Sequence, residues 1–572
     1  MVSSSFTSFG SNQSLRIITT LAPNGAPPFS LWEYLREELL AADFDSHQEL
    51  KWERVSNFLH IPIGVEKILS FGFLLCLDTF LYTFTIMPIR ATVATYRTIV
   101  NTFSRSRPPV PPAHKADILR MLLLVISIAI LAPLTDASKI YHSIRGQDTV
   151  KLYVIFNALE IADRLLISIG QDILDCMFSR STLLLLTNHA APSAHSLRPL
   201  LFFSLSILYT VSHALILIYQ LTALNVAINA YDNALLTLLL SNQFVEIKGS
   251  VFKKFEKDNL FQITCADIVE RFQLALMLVS IAIRNLIELS SAELDLSSDA
   301  SFGLPVAYKA FRFISGRHII GPVLAPVLSV LASELCVDWL KHAFITKFNH
   351  IRPTVYERYI DVLCRDLTTG SWYSRRRPVR KHTYVDQSPV VARRLGFASM
   401  PLAVLAVILG AQSISLLIST HFPESPWATM PRDWNMDMLS TMDWEEAGKW
   451  AALGLLSWFC LVTIKLILGI NLLAYASRRR EGMEGRRKKD EDINDYSRPA
   501  IGEGKDEIAY NKELKGLLTQ ARDDVPPTAE IGENLPQGKE PKAKSEKAGA
   551  SGGRKKVALE DLTRFTMVKR IW

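Results

Sequence analysis

Seven stretches of this chain are apolar for about the length of a bilayer crossing, which takes roughly 20 residues. They are Ile68–Ile89, Ile118–Leu134, Leu200–Leu221, Phe272–Leu289, Ile319–Trp339, Phe397–Thr420 and Trp450–Ala476. Phe397–Thr420 and Trp450–Ala476 are the clearest, because no acid interrupts either of them. Ile118–Leu134 is short and Phe272–Leu289 carries Arg284 and Glu288, so tilted, interfacial or re-entrant placements are open for these two. A different pattern governs residues 150–175. There Asn157, Glu160, Arg164, Ser168, Gln171 and Asp175 recur at helical spacing, with Ile, Leu and Val on the other faces. That is an amphipathic helix with a polar stripe, lying at the interface or against a bundle, and Glu160 and Arg164 are spaced for an i,i+4 ion pair. The pattern predicts an all-α polytopic membrane protein. About seven transmembrane helices and interfacial amphipathic helices would occupy a multi-pass domain over residues 31–476, between disordered termini.

Composition agrees with spans separated by charged segments. Of 572 residues, 49% are hydrophobic and 21% charged, and the mean hydropathy is +0.17. The net charge of +7 is spread over loops and tail, which argues against nucleic acid as a partner. Basic segments at Arg90–Arg120, at Lys341–Arg394 and after Arg478 read as cytoplasmic by the positive-inside bias. Acidic segments at Ser290–Pro305 and His421–Glu446 suit the opposite side. Seven crossings would put the C-terminus in the cytoplasm and the N-terminus in the lumen. The leader, residues 1–30, has no apolar core of signal-peptide type; the sequon Asn12-Gln13-Ser14 tests its side. Residues 477–556, rich in charge, Gly and Pro, read as a disordered cytoplasmic tail, and 557–572 as a terminal docking segment. The six cysteines are scattered without a C-x-x-C pair, so neither a disulfide framework nor a zinc site is expected.

Between the third and fourth apolar stretches lies a basic, aromatic-rich loop, residues 241–262. Phe244, Phe252 and Phe255 fall near one side of a helix, flanked by Lys248, Lys253, Lys254 and Lys257. This suits contact with anionic lipid headgroups or with a partner helix; a solvated loop with a few packed Phe residues fits it equally.

Catalytic signatures are missing from the sequence. It holds no phosphate loop, no H-E-x-x-H, no G-x-S-x-G and no dinucleotide glycine motif. No catalytic, cofactor-binding or metal-ligating residue is assigned, and no cofactor is expected. The polar residues that call for an explanation lie at membrane depth, where an ionisable group costs about 2.5–3.5 kcal/mol. They are Asp78, His213, Glu334 and Asp338, joined by Glu160, Arg164, Asp175 and Arg284 in an expected polar network. The favoured reading is interhelical glue, for example Asp78 with Arg284 and Glu334 with a Lys or His. The alternative is an ion or small-solute path through a transporter or channel.

Several blocks in order carry a resemblance: Phe71–Tyr82, Ile144–Gln147, Lys151–Arg164, Gly170–Asp175, Phe244–Glu256 and Lys341–Asn349. Over roughly Leu31–Ala476 the chain resembles the transmembrane anterior posterior transformation protein family, also called the cytomegalovirus gH-receptor family. The resemblance implies a non-enzymatic, multi-pass protein of the endoplasmic reticulum membrane. It implies a scaffold that pairs with a SUN-like membrane protein and acts with lumenal chaperones or client proteins in folding quality control. Animal members are linked to cilium formation and skeletal patterning.

Overall fold

A helix satisfies its backbone hydrogen bonds within itself, which makes it the natural conformation for an apolar stretch in lipid. The computed structural model describes residues 30–40, 48–103, 112–135, 137–185, 197–229, 234–251, 257–297, 317–349, 351–369, 394–421, 444–486 and 488. Among these residues there is no strand. The helices are α1 (Leu31–Leu40), α2 (Gln48–Phe84), α3 (Ile86–Phe103), α4 (Pro112–Leu134), α5 (Ala137–Arg145), α6 (Thr149–Met177), α7 (Arg180–Leu185), α8 (Arg198–Asn229), α9 (Ala234–Val251), α10 (Lys257–Ser297), α11 (Arg317–Phe348), α12 (Thr354–Thr369), α13 (Ser399–His421) and α14 (Trp444–Glu481).

Among the described residues, six segments are long and apolar enough to cross a membrane: Arg54–Asn101, Ala113–Leu134, Arg198–Asn229, Asn259–Leu289, Ser399–Leu417 and Ala451–Glu481. The protein is an all-α polytopic membrane protein. The stretch Ile319–Trp339, expected to be a further span, lies within α11, which is not among the six.

Cross-helix contacts fix the directions. Trp458 and Lys465 of α14 meet Phe84 and Asp78 of α2, so these two helices run antiparallel. In the same way α11 opposes α2, through Trp339–Glu66 and Phe344–Phe58. The boundary between α2 and α3 has a local cause. Pro88 has no N–H to donate to the carbonyl four residues back. That carbonyl, of Phe84, instead accepts from the Trp458 indole at 3.1 Å. Gly72 sets the closeness of α2 and α10, because a Cβ there would lie 2.4 Å from Ile268. The apolar core is centred on α2, α10, α11 and α13, with α12 packing Tyr356 and Tyr359 into it.

Residues 241–251, the first part of the basic segment between apolar stretches, form the end of helix α9. Two expectations change here. Lys341, expected to open a cytoplasmic basic segment, is 1% exposed. Helix α14 continues through Glu481, past the expected start of the tail at residue 477, because Arg479 and Arg486 bind acids on α12. The leader 1–29, most of the acidic segments and the terminal docking segment 557–572 lie outside the described residues.

Candidate functional site

Helix α10 carries Asp267, Glu270 and Arg271 at i, i+3 and i+4, one helical face. Ile268 and Phe272 occupy the opposite side and pack on Gly72, Phe73 and Phe80 of α2. Helix α11 carries Glu334, Asp338, Lys341 and His342, again about one turn apart. Apolar packing of α2 against α10 turns these two polar faces toward each other, and because α10 and α11 run antiparallel the charges interleave.

Lys341 donates to Asp267 at 2.7 Å and to Glu246 of α9 at 3.2 Å, and lies 3.5 Å from Asp338. Arg271 donates to Asp338 at 2.8 Å and to Glu66 of α2 at 3.0 Å. The Trp339 indole also donates to Glu66, at 3.1 Å. His342 bridges Asp267 at 2.8 Å and the Tyr356 hydroxyl at 2.9 Å. Asp267, Arg271, Asp338, Lys341, His342 and Tyr356 are all buried. A lone charge at this depth is expensive, so the alternation of acid and base is what permits their burial.

The network continues toward α6. Arg164 pairs with Glu160 at 2.9 Å and with Glu270 at 3.3 Å. Asp163 hydrogen-bonds His213 of α8 at 2.6 Å and accepts from Gln273 of α10 at 3.1 Å. His213 in turn meets the Tyr209 hydroxyl at 3.0 Å. The pairs 163–213 and 170–209 run in opposite order, so α6 lies antiparallel along α8. His213 sits at the middle of α8, and Asp163 at the middle of α6. The network therefore extends from the middle of the bundle to α12, where Tyr356 closes it. One oxygen each from Glu246, Asp267 and Glu270 lie within 4.8 Å of one another, a grouping with the donor chemistry for a hard cation.

The structure redistributes the residues expected in a polar network. Asp78 pairs with Lys465 of α14 at 2.5 Å, not with Arg284, which pairs with Glu288 one turn along its own helix at 3.0 Å. Glu334 accepts from the amide of Gln243, not from a Lys or His. Glu160, Arg164 and Asp338 join the central cluster, whereas Asp175 is exposed near the end of α6. In the expected lipid or partner surface, Phe244 and Lys248 are exposed on α9. Phe252, Lys253, Lys254 and Phe255 lie outside the described residues, and Lys257 opens α10. Sequence reasoning missed Asp267, Glu270, Arg271, Lys341 and Glu246. The signal available was the run Asp267-Ile-Val-Glu-Arg271 immediately before the apolar stretch Phe272–Leu289.

Residues 110–481 match a family model described as a eukaryotic membrane protein family. Endoplasmic reticulum membrane protein 65 of Schizosaccharomyces pombe is 37% identical over 534 residues, covering 87% of this chain and 78% of that protein. Transmembrane anterior posterior transformation protein 1 homolog of Homo sapiens is 40% identical over 399 residues, 68% of this chain and 64% of that protein. A Dictyostelium discoideum protein named Protein TAPT1 homolog is 38% identical over 392 residues, 66% of this chain and 43% of that protein. The chain thus spans just under two thirds of the human relative and less than half of the slime-mould one. No solved structure matches.

Proposed function

Because the chain belongs to the eukaryotic membrane protein family that these relatives share, we propose that it is a non-enzymatic scaffold of the endoplasmic reticulum membrane. It works with a SUN-like membrane partner in the folding and quality control of lumenal proteins, with its C-terminal tail in the cytoplasm. The fission-yeast relative's name supports the compartment. Helix α14 carries the scaffold reading. None of its most apolar window is buried, against 72% for the window in Arg54–Asn101. Leu453, Leu456, Cys460, Thr463, Ile467 and Ile470 are all exposed, at alternating intervals of three and four residues. Leu455, Phe459, Ile464 and Leu466 beside them are exposed as well, so this broad apolar face offers a three-four seam to a second helix.

The polar groups weigh against a single transport path. Asp78 lies about three turns along α2 from Glu66 and engages a different helix, so the intramembrane acids do not line one route. The test is to purify the tagged protein in mild detergent beside a Leu456→Trp/Ile467→Trp variant. Both substitutions stay apolar, so insertion is preserved while the seam is blocked. The expected result is a stoichiometric SUN-like protein with the native chain and its loss from the variant. Equal recovery with both, or a native chain that purifies alone, would sink the proposal.

A further inference from the structure

A second feature sits on other helices and is independent of the partner reading. Arg164 is 48% exposed, Glu246 35%, Glu270 34% and Glu160 30%. These ionisable groups are reachable from outside at the middle of α6, the helix that lies along the membrane-spanning α8. Arg164 of α6 pairs with Glu160 and with Glu270 of α10, and Glu246 of α9 joins Asp267 of α10 through Lys341, so the four part-exposed groups are read as the floor of a cleft where α6, α9 and α10 meet. Its lips are apolar and outward-facing: Ile161 and Leu165 on α6, 61% and 59% exposed and next in sequence to Glu160 and Arg164, and Val245 on α9, 57% exposed and next to Glu246. Lys248 is exposed one turn beyond Phe244, toward the end where α9 stops and α10 begins. On the facing stripe of α6, Asn157 holds a buried Oδ1 with no hydrogen-bond partner.

Acyl chains would satisfy the lips and leave the floor unsolvated, while water alone would satisfy the floor and leave the lips exposed. An amphiphile satisfies both. The floor sets one guanidinium among three carboxyl groups, so Arg164 can take a phosphate and the carboxyl oxygens an ammonium. That composition suits a headgroup pairing the two. We propose that this cleft admits the headgroup of a zwitterionic phospholipid while its acyl chains stay against the lips. By lowering the cost of bringing the headgroup to mid-membrane, the protein accelerates phospholipid exchange between leaflets. No bond is made or broken; the work is done by replacing hydration with Arg164 and the carboxylates.

The test reconstitutes the full chain into phosphatidylcholine vesicles carrying a fluorescent phosphatidylcholine tracer. Exchange is read as the fraction of tracer quenched by an impermeant reductant over time. The expected exchange rate is about a hundredfold above protein-free vesicles, a barrier lowered by about 2.7 kcal/mol at 1.36 kcal/mol per decade. A Glu160→Leu/Arg164→Leu/Glu270→Leu variant replaces three of the four floor groups together and leaves Glu246 on Lys341, a replacement that buried ion networks commonly tolerate. It should fall to background while eluting as the native protein does. Leu165→Trp, which narrows the mouth and leaves every charge in place, should slow exchange in the same direction. Arg284→Gln/Glu288→Gln, at an ion pair on α10 outside the cleft, should leave the rate unchanged. The proposal is overturned if the native protein is no faster than protein-free vesicles, or if the floor variant and Leu165→Trp both match the native rate. It is also overturned if a photo-reactive residue at position 165 captures a protein segment and no lipid.

Discussion

Lys341 holds three acids from three helices, Glu246 of α9, Asp267 of α10 and Asp338 of its own α11. Each acid sits where its charged form needs a cation, and each has a different second partner or none. Removing the lysine is therefore worse than removing any one acid, because it strands several like charges together. Lys341→Met should lower the unfolding free energy in mixed micelles by about 3–5 kcal/mol, the cost typical of breaking a buried pair from one side. Glu246→Gln should cost clearly less, since Glu246 is part-exposed and water can replace its partner. If the lysine variant lost no more than the Glu246 variant, water would have to reach Asp267 and Asp338, and the network would not be sealed. Lys341 also shows why the residue scale was hard to read from the chain. Positioned just after an apolar stretch and before many arginines, it looks like a flanking cation; only the facing of α10 against α11 turns it inward.

At the scale of elements, the join of α6 to α8 rests on one missing side chain. A Cβ at Gly170 would lie 1.9 Å from Cζ of Tyr209, so the ring fills the space that glycine leaves. Displacing the ring also breaks the hydrogen bond from Tyr209 to His213, and with it the chain to Asp163 and Gln273. Alanine is the better helix former by about 1 kcal/mol, yet Gly170→Ala should destabilise the protein by about 1–3 kcal/mol, the range for overpacking. Adding Tyr209→Ala should recover part of the loss, and the double-mutant cycle should return a coupling of about 1 kcal/mol or more. Additive effects would mean that the two helices do not meet there.

The helices themselves were legible, since length and hydropathy carry the spans, and the i,i+4 pair Glu160–Arg164 followed from spacing alone. The partners across helices were not. Asp78 could be matched with any cation of suitable depth, and its choice of Lys465 over Arg284 depends on α14 lying beside α2, a neighbour relation that no local pattern encodes. Residues 241–251 show the opposite case. Phe244 and Lys248 read as surface chemistry and are exposed, while Gln243 and Glu246, the residues that bind α9 to α11, look unremarkable in the chain.

For the molecule as a whole, α14 is held to the bundle by contacts at intervals rather than by a buried face. Trp458 caps the Phe84 carbonyl, Lys465 meets Asp78, and the basic end meets α12. At that end Arg479 bonds Glu357 and, at 2.6 Å, Asp361, which also takes Arg486 at 2.9 Å, while Lys67 of α2 reaches Glu357 at 3.4 Å. Burial pushes the Glu357 carboxyl up, but the hydrogen bond and charge of Arg479, aided by Lys67, outweigh it and hold the group below its ordinary value of 4.5. A carboxyl depressed in the folded state stabilises that state above its unfolded pKa and loses the contribution as pH falls through the folded one. The clamp should therefore be intact at neutral pH and still largely so near pH 4.5, where a free glutamate is half protonated, and should release only below that. Amide hydrogen exchange of residues 472–486 checks this in detergent across the acid range. Protection should fall at lower pH than in a Glu357→Gln/Asp361→Asn variant, which should exchange faster already at neutral pH. Because α14 has little buried surface of its own, releasing its foot should also loosen the exposed seam at Leu453–Ile470, and with it the capture of any partner helix. A variant that exchanges freely at the foot yet keeps full partner recovery would show that the clamp and the seam act separately.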